Sequence, residues 1–365
     1  MTGPSFFPSR TLLLYMGRML LTRTLAIIVM LVLVLQTLDA LSESGHILAH
    51  PGNGQGEVWR YISLRSPGIV AQFLPFSVLG AALFTLSTLN HNSEVIAMKA
   101  SGLSAHQVMA PLIVASVIVA GISFGFNELV AAPATQTLDE WKKVEYGPLP
   151  SDRGNRLNIW VRDGDDLVNV EQVHGRGDMA TLHNITVFDR SGGTLGAIVS
   201  APSGVRHGKG WRIPGGTRFD VATGKLTRIG PGIVANGVRP DQFTLASVDA
   251  EGETFGGLYA AIHDLRDAGR PTKALEGSLW HKLAAPLSCI LMPLLASVAA
   301  FGLARSGFLF VRAVIGMALG FAYFVADSFA LAMGNLGAYP PFLAAWAPLL
   351  LFLLIGELVL LRTEE

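Results

Sequence analysis

Hydrophobic positions along this chain fall into long unbroken blocks near both ends and into short alternating runs between them. Met19–Leu41, Pro67–Leu89, Val108–Val130, Leu279–Leu303, Val311–Met333 and Phe342–Leu361 are each long and apolar enough to cross a hydrocarbon core, which takes roughly 20 residues of helix. A helix satisfies all its backbone hydrogen bonds within the segment, as lipid requires, so these blocks are predicted spanning helices. The middle of the chain changes period. Leu157, Ile159 and Val161 alternate with Asn158, Trp160 and Arg162, and Asp163-Gly164 closes that run with a hairpin-type turn. Ile185–Phe188, Gly196–Ser200, Val205–Ile213 and Arg218–Val221 follow as short runs separated by Gly-rich turns. Many short strands with frequent turns predict an antiparallel sandwich or jelly roll rather than a βαβ fold. Helical spacing returns at Phe255–Ala268, with Leu258, Ile262 and Leu265 on one face, predicted to lie along the outer membrane surface.

The expected molecule is an α-helical integral membrane protein with six transmembrane helices and an inserted all-β, jelly-roll-like periplasmic domain. Residues 1–130 hold spans one to three, 131–256 the β domain, and 257–365 the surface helix with spans four to six. Met19–Leu41 reads as a permanent span rather than a cleaved signal, because it is too long and Leu38-Asp39-Ala40 is a poor cleavage site. Arg10, Arg18, Arg23, Lys99, Arg305, Arg312 and Arg362 fall on one side if the spans alternate, which predicts cytoplasmic termini and an outward-facing insert. Arg60 and Arg65 on the opposite side weaken that bias without reversing it.

Composition narrows the chemistry. Lys+Arg and Asp+Glu balance at 27 each, so no basic excess points to nucleic acid. The lone Cys289 allows no intramolecular disulfide. A Walker-type phosphate loop, a His-Glu-x-x-His pair and a Gly-x-Ser-x-Gly elbow are all missing. Nothing here suggests a catalytic or metal site, and energy is expected to come from a partner.

The strongest local signal lies between the second and third blocks, in Asn92-Ser93-Glu94-Val95-Ile96-Ala97-Met98-Lys99-Ala100-Ser101-Gly102. Asn92 or Ser93 can cap a short helix, Glu94 suits its positive end, and Gly102 suits its stop. Val95, Ile96 and Met98 would be available for docking and Glu94 for a basic partner. The alternative is an interfacial helix lying on lipid. Elsewhere, Asp327 sits inside the fifth block, where a carboxylate costs roughly 2.5–3.5 kcal/mol on insertion scales and should face a cavity or a partner helix. Arg60, Arg65, Lys142, Lys143, His281 and Lys282 are expected near the outer membrane level, either pairing with glycolipid phosphates or simply anchoring the interface. Pro286 and Pro293 fall within the fourth block, as packing kinks or as a hinge.

Three stretches together resemble one family. They are the Asn92–Ser104 loop, Trp280-His281-Lys282-Leu283-Ala284-Ala285-Pro286-Leu287, and Ala345-Trp346-Ala347-Pro348. The family is the YjgP/YjgQ permeases, the LptF and LptG subunits of the lipopolysaccharide-export ABC transporter. The wording of the loop and the acidic end of the first span look more like the LptG type. The resemblance implies a non-catalytic permease paired with a sister of LptF type and a cytoplasmic ATPase homodimer of LptB type. It also implies a single-span bridge protein of LptC type, a soluble periplasmic bridge, and lipopolysaccharide as cargo. No cofactor would be bound by this chain, ATP being used by the ATPase. Glu94 would contact the ATPase, with Val95, Met98 and Lys99 around it. Arg60, Arg65, Lys142, Lys143, His281, Lys282 and Asp327 would face the cargo. Where several relatives carry lysines at the outer end of the first span, this chain has Gln36, Asp39 and Glu43. The rival reading is a membrane-anchored scaffold or sensor whose outer domain binds an envelope protein.

Overall fold

A computed structural model describes residues 9–148, 156–174, 180–190, 193–208, 210–239, 249–267, 271–301 and 309–362. Arg305 and the last residues of the fourth predicted block lie outside them, as does the side chain of Arg312. Helices α1 (Arg10–Ala49), α2 (Gln55–His91), α3 (Glu94–Ala100) and α4 (Ala105–Phe126) come first. A π-turn at Asn127–Ala131 leads into α5 (Ala132–Lys143). After the strands come α6 (Phe255–Asp267), α7 (Lys273–Phe301), α8 (Leu309–Asn335) and α9 (Pro341–Arg362). Six of these segments are long and apolar enough to span a membrane, matching the six predicted blocks. Several are longer than predicted. α1 runs 40 residues and α2 37, because polar turns continue each helix beyond its apolar stretch.

The six spans enclose one core. Leu79, Leu86 and Leu89 of α2, Val108, Met109 and Leu112 of α4, and Leu291, Met292 and Leu295 of α7 are buried together. α7 is the most enclosed span and continues as helix through Pro286 and Pro293. Gly316 and Gly320, one turn apart on α8, let that helix approach Leu83 and Leu79 of α2, since a Cβ at either glycine would overlap a leucine methyl. α1 and α8 are the least enclosed spans, and large apolar side chains lie exposed along α1, α8 and α9.

Between α5 and α6 the chain forms β1 (Arg156–Asp163), β2 (Asp166–His174), β3 (Thr181–Asp189), β4 (Ala197–His207), β5 (Gly210–Ile213), β6 (Gly216–Asp220), β7 (Lys225–Ile229) and β8 (Gly232–Val234). All pairings are antiparallel, in the order β1-β2-β3-β4-β5-β8, and β6 branches from β4 to carry β7. The period-two reading holds at the first strand, where Ile159 and Val161 are buried and Trp160 is exposed. Gly164, with φ +62°, closes the hairpin between β1 and β2, with Asp163 opposite Asp166. The single run read at Val205–Ile213 is instead two strands, because Gly208 turns the chain with φ +61°. β2, β7 and β8 were not singled out from the pattern. β7 is almost wholly exposed and so carries no hydrophobic alternation.

Two residues set the geometry of this sheet. Trp211 is fully buried and donates from Nε1 to the Val238 carbonyl at 2.9 Å. Gly216 lies so close to β4 that a Cβ there would stand 2.1 Å from the Ser200 carbonyl oxygen. That atom is backbone and cannot swing away. Gly216→Ala is therefore expected to separate β6 from β4 and lower insert stability by about 1–3 kcal/mol. Earlier proteolysis within residues 216–229 during thermal melting of the whole protein would register the effect, and unchanged proteolysis would refute it.

Candidate functional site

The structure brings the chain's charged and polar residues together at the two ends of the bundle and at one point inside it. At one end, α3 follows α2 after a sharp turn in which Ser93 adopts φ 57°. Neither expected cap forms. Ser93 holds a left-handed backbone, and no side chain caps α3. Asn92 uses its Nδ2 to bond Glu94 Oε1 at 3.2 Å instead. The capping chemistry appears one helix later, where Ser104 and Gln107 form a reciprocal box at the start of α4. The predicted stop is right: Gly102 has φ +92°, and the Leu103 N–H bonds the Met98 carbonyl.

Val95, expected to be free for docking, is 3% exposed and packs into the bundle core with Met98 beside it. Burial of these two pins α3 to α2 and α4. Ile96, 66% exposed, faces outward, Lys99 is also exposed, and Glu94 is half-buried. The Tyr15 hydroxyl of α1 donates to Glu94 Oε1 at 3.4 Å, so the carboxylate is steadied from α1 and from the turn before α3. Two further contacts tie this end together. Arg23 of α1 bonds Thr88 of α2 at 3.0 Å, and His106 of α4 meets Glu357 of α9 at 2.6 Å.

At the other end, the acidic residues of α1 are consumed within the chain. Asp39 accepts from the Tyr61 hydroxyl at 2.7 Å and from Arg65 Nε at 3.3 Å. Gln36 accepts from Ser66, and Glu43 accepts from the Tyr146 hydroxyl. Burial, and then the bond to Glu43, push the Tyr146 phenol above its ordinary range, which keeps it protonated as a donor. Trp141, Tyr61 and Tyr146 stack edge to face around Ile47 and Leu138. Arg60 lies over the Trp141 ring at 4.7 Å and Lys142 over Tyr61 at 5.8 Å. Sequence reasoning placed Arg60, Arg65, Lys142 and Lys143 at this level but missed the aromatic girdle that organises them. The signal was an unread set of Tyr and Trp at span ends. Beside the girdle opens a cleft of about 610 Å³ lined by Glu43, His46, His50, Lys142 and Glu145.

The remaining predicted residues lie on α7 and α8. His281 Nε2 meets Asp327 Oδ2 at 2.8 Å, so two residues read separately form one interhelical pair. Lys282 lies within electrostatic reach of Glu128, Glu251, Asp249 and Glu253. Among the described residues no group of His, Cys, Asp and Glu is arranged to hold a metal ion.

Comparison with known proteins agrees with this architecture. The family described as "Lipopolysaccharide export system permease LptF/LptG" matches residues 14–362. The chain is similar to the lipopolysaccharide export system permease protein LptG of Escherichia coli K12, with 26% identity over 357 residues covering 95% of this chain and 97% of that protein. It is also similar to the protein of the same name from Haemophilus influenzae, with 23% identity over 327 residues covering 86% and 89% of the two chains. With six spans, an antiparallel β insert after the third, and a match over nearly its whole length, the chain belongs to the LptF/LptG family of lipopolysaccharide export system permeases.

Proposed function

We propose that this chain is a transmembrane permease subunit that extracts lipopolysaccharide from the inner membrane and passes it to a periplasmic bridge. It is driven by a separate ATPase and is of the LptG type. The observation that carries the reading is α3: a short, firmly seated helix that presents Glu94, Ile96 and Lys99 at one end of the bundle. A motor closing beneath it would move α2 and α4 together, because buried Val95 and partly buried Met98 join α3 to both. In this reading the Glu94 end and both termini are cytoplasmic and the sheet is periplasmic. A sister permease of LptF type covers the open face of α8 and that of α1 beyond Leu25. An LptC-type bridge meets the outer domain, and ATP is bound only by the LptB-type dimer. The girdle cations, with Lys282 and Lys143, stand where an anionic head group would leave the membrane.

The test is co-purification with the ATPase, comparing wild type with Glu94→Ala. Loss of assembly, or at least a tenfold fall in lipid-stimulated ATP hydrolysis, is expected. Retained assembly with unchanged hydrolysis would sink the coupling assignment, while the family membership would stand.

A further inference from the structure

We infer that a groove between α1 and α4 is a binding site for an anionic phospholipid of the leaflet at the Glu94 end. The groove measures about 230 Å³ and is lined by Leu14, Arg18 and Leu21 of α1 and by Pro111, Val114 and Ile118 of α4. Its floor is small: Gly17 faces Ala115, and a Cβ at Gly17 would stand 3.7 Å from the Ala115 methyl. The walls are apolar except for Arg18 and for Thr22, whose hydroxyl donates back to the Arg18 carbonyl at 2.9 Å. Arg18 is exposed, and its guanidinium has no hydrogen-bond or ion-pair partner among the described residues.

Depth explains what that cation meets. Asp39, held by Tyr61 and Arg65, marks the polar outer end of α1. From residue 18 to residue 39 the helix rises about 31 Å at 1.5 Å per residue, close to the roughly 30 Å hydrocarbon thickness. Arg18 therefore stands at the phosphate level of the opposite leaflet. Leu21, Val114 and Ile118 lie on the hydrocarbon side of it, where an acyl chain would run. A guanidinium matches a phosphodiester by paired hydrogen bonds, and an unpaired cation facing lipid favours a net anionic lipid over a zwitterionic one. The occupant would touch the α1 turn next to Tyr15, which bonds Glu94.

The experiment uses the full chain in detergent with added phosphatidylglycerol or phosphatidylcholine, reading apparent affinity from thermal stabilisation. Wild type is expected to bind phosphatidylglycerol at least tenfold more tightly than phosphatidylcholine. Arg18→Gln should abolish that preference. Ile118→Trp, which fills the groove from its exposed side, should weaken phosphatidylglycerol binding at least fivefold with Arg18 intact. Equal binding of the two lipids by wild type would assign the groove to any apolar occupant, a partner's spanning helix included, and would overturn the inference. Wild-type affinity in either variant would do the same.

Discussion

Trp141→Ala is expected to free α5 from the girdle ends of α1 and α2 and to lower stability by about 3–5 kcal/mol, the usual range for deleting a buried tryptophan. Trp141 is 1% exposed and fills the centre of the girdle. Its ring meets Tyr146 at 5.1 Å and carries the Arg60 guanidinium at 4.7 Å. Its indole nitrogen donates to the Gly147 carbonyl at 3.0 Å. Alanine removes the packing and the cation–π contact and leaves that carbonyl to find another donor. Trp141→Phe separates these effects: most of the packing survives and about 1 kcal/mol is lost with the hydrogen bond. Thermal unfolding of the purified protein would rank wild type above phenylalanine above alanine. An alanine variant melting with wild type would show that the girdle is not a structural clamp. The clamp also accounts for Asp39 and Glu43 on this first span. They are acceptors for Tyr61, Arg65 and Tyr146 inside the chain, and lysine at either position would lose that bond.

The second large effect is expected at the pair inside the bundle. Asp327, with a side chain 14% exposed, takes His281 of α7 as its partner and so joins α7 to α8 at membrane depth. His281→Ala should destabilise more than Asp327→Ala. The first strips a carboxylate of its donor in a low-dielectric site, which costs more than leaving an imidazole without its acceptor. Each single change is expected to cost about 1–3 kcal/mol, and the double variant less than the sum, with coupling of at least about 1 kcal/mol. A double-mutant cycle on unfolding in micelles measures this directly. Additive single effects would mean that the pair contributes nothing to stability. Asp327→Asn, which keeps an acceptor for His281, should restore most of the stability and so separates packing from any part in lipid extraction.

Much of this was legible in the chain. Six spans were read from apolar blocks, because a helix in lipid satisfies its own backbone and needs no distant partner to form. The hairpin at Asp163-Gly164 was read because only a few residue types accept the backbone of a tight turn. The α6 face, Leu258, Ile262 and Leu265, was read from spacing, and all three are buried. Three readings failed for one reason. Ser93 does not cap, Val95 is not free, and Val205–Ile213 is not one strand. In each case a single residue's backbone angle or contact with another helix overrode a local preference.

The chain by itself determined which segments enter the membrane, which alternate as strands, and where a short helix interrupts the spans. These follow from periodicity and length, which act over neighbouring residues. Tertiary structure alone decided what each charge does. Asp39 finds Tyr61 and Arg65, 22 and 26 residues away, Asp327 finds His281 at 46, and Glu43 finds Tyr146 at 103. A carboxylate at a span end can equally face a lipid head group, a sister subunit or a neighbouring helix. Only the packing of helices distant in sequence chooses among them, because that packing sets which donors come within reach and how much water is left. The same packing leaves Arg18 exposed at the membrane boundary, while at the other end Arg60 and Lys142 are drawn over aromatic rings and Arg65 to Asp39.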